Sequence, residues 1–306
     1  MNTTSATSLR ATLLIVLSAC CFGAMSTLAV LAQRQGLSIA NAMAWRYSLG
    51  SAMLLYPAVR AIRSLSTPFP TARALRLVVI GALAQATITY ISLYALKFIP
   101  VGLLAFLFYT YPAWLALIST VRGTEAINAT RGVALVVSLL GLGIMAGPIA
   151  RGSANTTGVL IALSAALLYA IYLPALREAQ QGLVPIIATF FLVLGATMSF
   201  VVVAIVTGNE AMPSTPQAWM IVVLLGTVCT SVAFAALLTG LRLLGPVRTS
   251  IIATIEPFFT AVLGAILLSE RLTVRTLLGG TMVGLAVVLL QLRSEEADPS
   301  AVVAGS

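Results

Sequence analysis

The sequence predicts an all-α integral membrane protein whose ten transmembrane helices form two inverted five-helix repeats. Three observations predict it. Of the 306 residues, 60% are hydrophobic and only 8% charged, whereas a soluble domain carries roughly a quarter charged residues. The apolar residues gather into runs close to the roughly 20 residues that cross a bilayer core. Basic, proline and glutamate landmarks recur 145 residues apart.

Taken in order, the apolar runs lie near 11–32, 39–60, 75–96, 100–121 and 131–149, then 157–176, 185–207, 218–240, 246–268 and 275–292. Each is expected to be helical, because an unpaired backbone amide in hydrocarbon costs several kcal/mol and no run alternates polar with apolar as a barrel strand does. Polar breaks separate them at Gln33-Arg34-Gln35-Gly36, from Arg63-Ser64 to Thr71, and from Gly208-Asn209 to Pro216. Pro100 and Pro246 open the fourth and ninth runs, where a missing N–H costs nothing. Asn128 and Thr273 are N-cap residue types before the fifth and tenth. The first run follows Arg10 as a signal peptide would, and Leu17-Ser18-Ala19-Cys20 fits a lipoprotein cleavage pattern. The run stays apolar through Val30, which makes it an uncleaved span. Cys20, Cys21 and Cys229 all fall in apolar runs and read as packing residues, not as a disulfide framework.

The net charge of +9 is spread singly between the runs, with no aromatic-interleaved basic stripe. It reads as membrane topology and not as a nucleic-acid surface. With the N-terminus in the cytoplasm, inner loops hold eleven basic residues, four of them (Arg60, Arg63, Arg73 and Arg76) at the second-to-third connection, and outer loops hold five. Both termini are therefore expected on the cytoplasmic side of the inner (plasma) membrane.

The shift of 145 residues places Lys97 on Arg242, Pro112 on Pro257, Glu125 on Glu270, Asn128 on Thr273 and Gly81 on Gly226. Five helices per copy turn the second copy over in the bilayer, and inverted repeats suit carriers that rock about a midplane site. The expected units are residues 1–149 and 150–292, followed by a cytoplasmic tail at 293–306.

The stretches Tyr111-Pro112-Ala113-Trp114 through Thr124-Glu125, and Pro257-Phe258-Phe259-Thr260-Ala261 through Ser269-Glu270-Arg271-Leu272-Thr273, resemble the repeat signature of the drug/metabolite transporter superfamily, EamA type. Ala44-Trp45-Arg46-Tyr47 sits where that family often has an aromatic–arginine–aromatic cluster. The resemblance covers nearly the whole chain. It implies a ten-helix bundle, usually an exporter of amino acids, nucleosides or related metabolites. The first copy departs from the signature at Arg122-Gly123-Thr124, where the second has Leu267-Leu268-Ser269.

An ionisable group at membrane depth is expensive and asks for a reason. Arg46 and Glu256 are the embedded ones. Glu256 lies mid-span immediately before Pro257, whose missing N–H can open the preceding turn and expose carbonyls. Three roles fit it: binding a cationic group of the substrate, exchanging a proton to drive transport, or holding two helices together. Its counterpart in the first half is Tyr111, so a carboxylate function is asymmetric. Arg46 either grips a substrate carboxylate with two prongs, snorkels outward, or pairs with a backbone carbonyl. Tyr90, Tyr94, Tyr109, Tyr111, Trp114, Tyr169 and Tyr172 are candidate cavity walls, with packing or interfacial anchoring as the alternative for each. Glu125 and Glu270, with Pro112 and Pro257, read as structural motif residues near span ends. Gly141, Gly143, Gly279, Gly280 and Gly284 are expected to permit close helix packing.

The absences bear on class. There is no histidine, the single aspartate is Asp298, and the single lysine is Lys97 without a phosphate-loop glycine frame. A serine–histidine dyad, a histidine-based zinc site, an aspartyl protease and an ATP-burning pump are thereby excluded. The expectation is a secondary transporter, an exporter of a small-molecule substrate by alternating access, with the lipid bilayer as solvent and protons as a candidate coupling ion. No cofactor, metal or nucleic acid is expected. The alternative is a membrane channel, receptor or helper subunit without carrier activity.

Overall fold

The computed structural model describes residues 3–95, 97–99, 101–124, 128–147, 155–208, 212–269 and 272–296. Glu125 and Glu270, with Pro100, Arg151 and Arg271, lie outside the described residues, as does the tail from 297 onward.

Every described element is helical. Nine described segments are long and apolar enough to cross a membrane. A tenth, Ile39–Arg63, has the length with 25 residues but carries Asn41 and the embedded Arg46. The spans are Thr3–Arg34, Ile39–Arg63, Thr71–Ala95, Val101–Val121, Ala129–Ala146, Thr156–Ala179, Pro185–Val206, Pro216–Leu244, Pro246–Leu268 and Val274–Glu296. The predicted caps form: Asn128 accepts from the Arg131 N–H at 2.9 Å and Thr273 from the Thr276 N–H at 3.2 Å. Ser38, Asn155 and Thr215 cap the second, sixth and eighth spans in the same way, each taking up an orphan donor of the first turn.

Four spans are interrupted, in two matched pairs. The third and eighth each widen into a π-helical segment, Ile80–Gln85 and Thr227–Val232. The fourth and ninth are each broken into two half-helices, Val101–Phe108 then Tyr111–Val121, and Pro246–Ala253 then Glu256–Leu268. The breaks fall at the two repeat-related prolines, Pro112 and Pro257, which cannot donate to the carbonyls of Phe108 and Ala253 one turn back.

Packing follows the same symmetry. The first span packs on the eighth and ninth, as the sixth packs on the third and fourth; the third packs on the seventh as the eighth packs on the second. The second and seventh, and the fifth and tenth, pack on each other across the pseudo-twofold. Two glycine crossings make this possible. A Cβ on Gly81 would strike the Leu192 carbonyl, and one on Gly195 the Val78 carbonyl. Their repeat mates face each other likewise: a Cβ on Gly226 would come 3.1 Å from the Arg46 carbonyl oxygen, and one on Gly50 3.1 Å from that of Gly226. Lipid offers no hydrophobic drive between helices, so such backbone approach supplies the packing instead.

The first and second repeats are therefore interleaved. The third, fourth, sixth and seventh spans form one bundle, and the first, second, eighth and ninth form its inverted copy. Among the predicted packing glycines, Gly141 and Gly279 meet across the fifth and tenth spans, and Gly280 lies against Phe258. Gly284 has nothing within 4 Å and Gly143 makes only an ordinary 3.5 Å contact, so those two expectations are corrected.

Candidate substrate site

Where the two bundles meet, a narrow cavity is lined by Ile15, Ser18 and Phe22 of the first span, Phe108, Tyr109 and Tyr111 at the fourth-span break, Tyr169 of the sixth, and Ala253 and Glu256 at the ninth-span break, among others. Its free volume is about 20 Å³, room for roughly one or two water molecules. That is too small for a metabolite.

Glu256 is the first residue of the second half-helix of its span, followed by Pro257 at the first turn. Helix N-termini carry partial positive charge from unpaired N–H groups, so the break itself favours a carboxylate there. Gly23 lets the first span close over this turn: a Cβ at that position would come 3.0 Å from the Thr260 nitrogen and 3.1 Å from the Glu256 carbonyl oxygen. Tyr109, at the end of the first half of the broken fourth span, shares the cavity wall with Glu256.

An aromatic cluster surrounds this group. Tyr111 and Tyr169 meet edge to face with centroids 4.6 Å apart, Phe108 lies 5.4 Å from Tyr169, and Tyr172 5.5 Å from Tyr169. Tyr111, buried at 2% exposure, donates to the Ser250 carbonyl at 3.3 Å across the repeat interface. Glu256 and Tyr111 thus sit at corresponding positions of the two broken spans and line the same cavity.

Arg46 is elsewhere. It is 2% exposed and reaches to the π-helical segment of the eighth span, donating to the Cys229 carbonyl at 2.8 Å and the Thr230 hydroxyl at 2.9 Å. Its remaining donor faces the Met25 and Met43 sulfurs. It makes no ion pair with Glu256. Of the readings open to the sequence, pairing with a backbone carbonyl is the one this geometry adopts.

Tyr90 and Tyr94 stack on each other with centroids 6.2 Å apart and are 56% and 38% exposed; Trp114 is 38% exposed. All three face outward and none lines the cavity. Pro112 and Pro257 set the two breaks. Sequence reasoning missed Ser18, Phe22 and Phe108 as wall residues. Ile15, Ser18, Ala19 and Phe22 share one helical face, a stripe that reads as ordinary packing until the broken spans are seen against it.

A sequence model of the EamA-like transporter family matches residues 9–147 and 156–292. The chain belongs to the EamA-like transporter family. Among curated proteins, this EamA-like chain is 28% identical over 199 residues to an uncharacterized transporter of Archaeoglobus fulgidus, covering 65% of this chain and 70% of the relative. An uncharacterized transporter of Synechocystis is 26% identical over 217 residues, covering 69% and 63%. The uncharacterized transporter YdfC of Bacillus subtilis is 25% identical over 188 residues, covering 61% of each chain. A solved crystal structure superposes with a TM-score of 0.73 over 94% of this chain and 98% of that one at 17% identity, which shows a shared fold. The EamA-like chain is thus a multi-pass membrane transporter, and its two family segments are the two repeats described above.

Proposed function

We propose that this transporter is a secondary carrier that exports a small metabolite across the inner membrane by alternating access, with both termini in the cytoplasm. The observation that supports it best is Glu256, a carboxyl without an ion pair placed at a half-helix start in a cavity between two inverted bundles. Broken helices at mid-membrane are where carriers bind their cargo. The third, fourth, sixth and seventh spans would tilt against the first, second, eighth and ninth, opening the cavity to one side at a time. The outward direction and the substrate classes to test first, amino acids and nucleosides, rest on the family resemblance. The cytoplasmic termini rest on the eleven-to-five distribution of basic residues.

Protons are the proposed coupling ion. A carboxyl in a low-dielectric cavity is costly when ionised and unpaired, so it binds either a proton or a cation as it crosses. The test is counterflow of labelled substrate by purified protein in liposomes, with and without an imposed proton gradient. Exchange without ATP that speeds up with the gradient supports the proposal. Ion currents far above carrier turnover would replace it with a channel. Cysteines engineered beside Glu125 and Glu270 are expected to be labelled from opposite sides of the membrane; labelling of both from one side would refute the opposed orientation.

A further inference from the structure

The walls of the cavity carry a charge pattern that narrows the substrate. We infer that the site takes an organic cation, an amine on a flat apolar body without a carboxylate, and rejects amino acids. The inference rests on the carrier reading of this same cavity and replaces the amino-acid and nucleoside classes, which rest on the family resemblance alone, with one read from the cavity walls.

Among the described residues, the lining holds one acidic group, Glu256, and no basic one. Arg46, the cation of the second span, is committed to the Cys229 carbonyl and the Thr230 hydroxyl. A substrate carboxylate entering the cavity would therefore find no cation in the wall to pair with, and an unpaired buried charge is among the most expensive things a protein can hold. An ammonium group meets the opposite situation. Glu256 is its counter-ion, and the wall beside it is built of Phe22, Phe108, Tyr111 and Tyr169, side chains whose rings attract cations.

The hydroxyls reinforce the point. Those of Ser18 and Tyr111 are already engaged, the first with the Ala233 carbonyl and the second with the Ser250 carbonyl. What remains for a ligand at these positions is mainly aromatic surface. A neutral polar body such as a nucleoside would arrive with several donors and acceptors to satisfy and few free partners in the wall.

The experiment compares two compounds that differ by one carboxylate. Purified protein in liposomes is assayed for counterflow of labelled phenethylamine and labelled phenylalanine, with uridine as the neutral probe. Phenethylamine is expected to move roughly a hundredfold faster than phenylalanine, the discrimination that one unpaired buried charge imposes. Glu256→Gln is expected to remove phenethylamine counterflow, and Glu256→Asp, which keeps the charge, to retain part of it. Movement of phenylalanine or uridine without phenethylamine would leave the carrier standing and overturn this inference. Phenethylamine movement that survives in Glu256→Gln would overturn it as well. If none of the three moves, this inference falls, while the carrier reading is decided separately by the gradient-dependent counterflow described above.

Discussion

The fourth and ninth spans share one backbone and differ in chemistry. Both are split at a repeat-related proline, both resume as a half-helix with that proline in its first turn, and both open onto the same cavity. Yet the residue before the proline is Tyr111 in one and Glu256 in the other. The duplicated part of the molecule is the break; the part present in a single copy is the charge. In the carrier proposed above, two breaks would serve as hinges for the two sides, and one charged group would suffice because both states share the cavity.

The sharpest way to break this comparison is to remove the chemistry from each side in turn. Glu256→Gln is expected to lower transport about a hundredfold or more, as loss of a single desolvated charge contact does, and to remove any proton dependence while membrane insertion is unchanged. Tyr111→Phe deletes only the hydroxyl bonded to Ser250 and is expected to cost less than about threefold. Initial rates of counterflow for the two variants decide it. Equal losses would mean that the two breaks contribute alike and that the asymmetry is without consequence.

A second asymmetry lies one layer out. Arg46 ties the second span to the π-helical segment of the eighth, whereas the corresponding position in the seventh span is Phe191, which packs on Phe69 and Phe190. Arg46→Ala leaves the Cys229 carbonyl without its guanidinium donor in a dry interior. It is expected to lower stability by about 2–3 kcal/mol and to reduce transport through the loosened crossing. Phe191→Ala, a half-buried site, is expected to cost less. Thermal unfolding in detergent measures both, and an undiminished Tm in Arg46→Ala would return the arginine to a role in substrate binding.

The glycine crossings test the symmetric part. Gly81→Ala and Gly226→Ala each push a methyl into the facing helix, and overpacking of this kind costs about 1–3 kcal/mol. The larger effect is expected at Gly81, where the obstacle is the Leu192 carbonyl itself. At Gly226 the nearest atom is the Leu49 Cβ, 2.7 Å from the added methyl. A neutral result at either would mean that the two crossings are not equivalent under exchange of the halves.

These differences mark the limit of what the chain discloses on reading. The repeat was legible because proline and cap residues act locally: Pro112 and Pro257 break a helix whatever packs against them, and Asn128 and Thr273 cap one within three residues. Glu256 was legible because a carboxyl within an apolar run is conspicuous. The partners of Arg46 were not, since Cys229 and Thr230 lie more than 180 residues away and offer a backbone carbonyl that no side chain announces. The π-helical segments escaped for a related reason. Ile80–Gln85 and Thr227–Val232 hold no proline, and in the second the widened turn is bridged by hydroxyls: Thr230 donates to the Leu225 carbonyl at 2.9 Å and Ser231 to that of Gly226 at 3.0 Å. The interleaving of the repeats is likewise a property of glycine pairs, each member of which is unremarkable alone.

The tyrosines show how the same residue type divides between cavity and periphery, and they supply the smallest expected effects. Tyr90 and Tyr94 stand at i and i+4 in the third span and looked equivalent to Tyr109 and Tyr169 as ring-bearing wall candidates. Their exposure of 56% and 38% puts them on the outward surface, where Lys97 lies 4.8 Å from the Tyr94 ring. Aromatic rings on the outward surface of a span are suited to anchoring it at interfacial depth. Tyr90→Phe, Tyr94→Phe and Trp114→Phe are accordingly expected to change counterflow by less than about twofold, within the range of surface substitutions. Tyr109→Phe, which removes a hydroxyl from the cavity wall that holds Glu256, is expected to slow counterflow several-fold. If Tyr90→Phe were the more damaging of the two, a second binding surface would lie outside the cavity, and the contrast between the broken spans would no longer locate the chemistry.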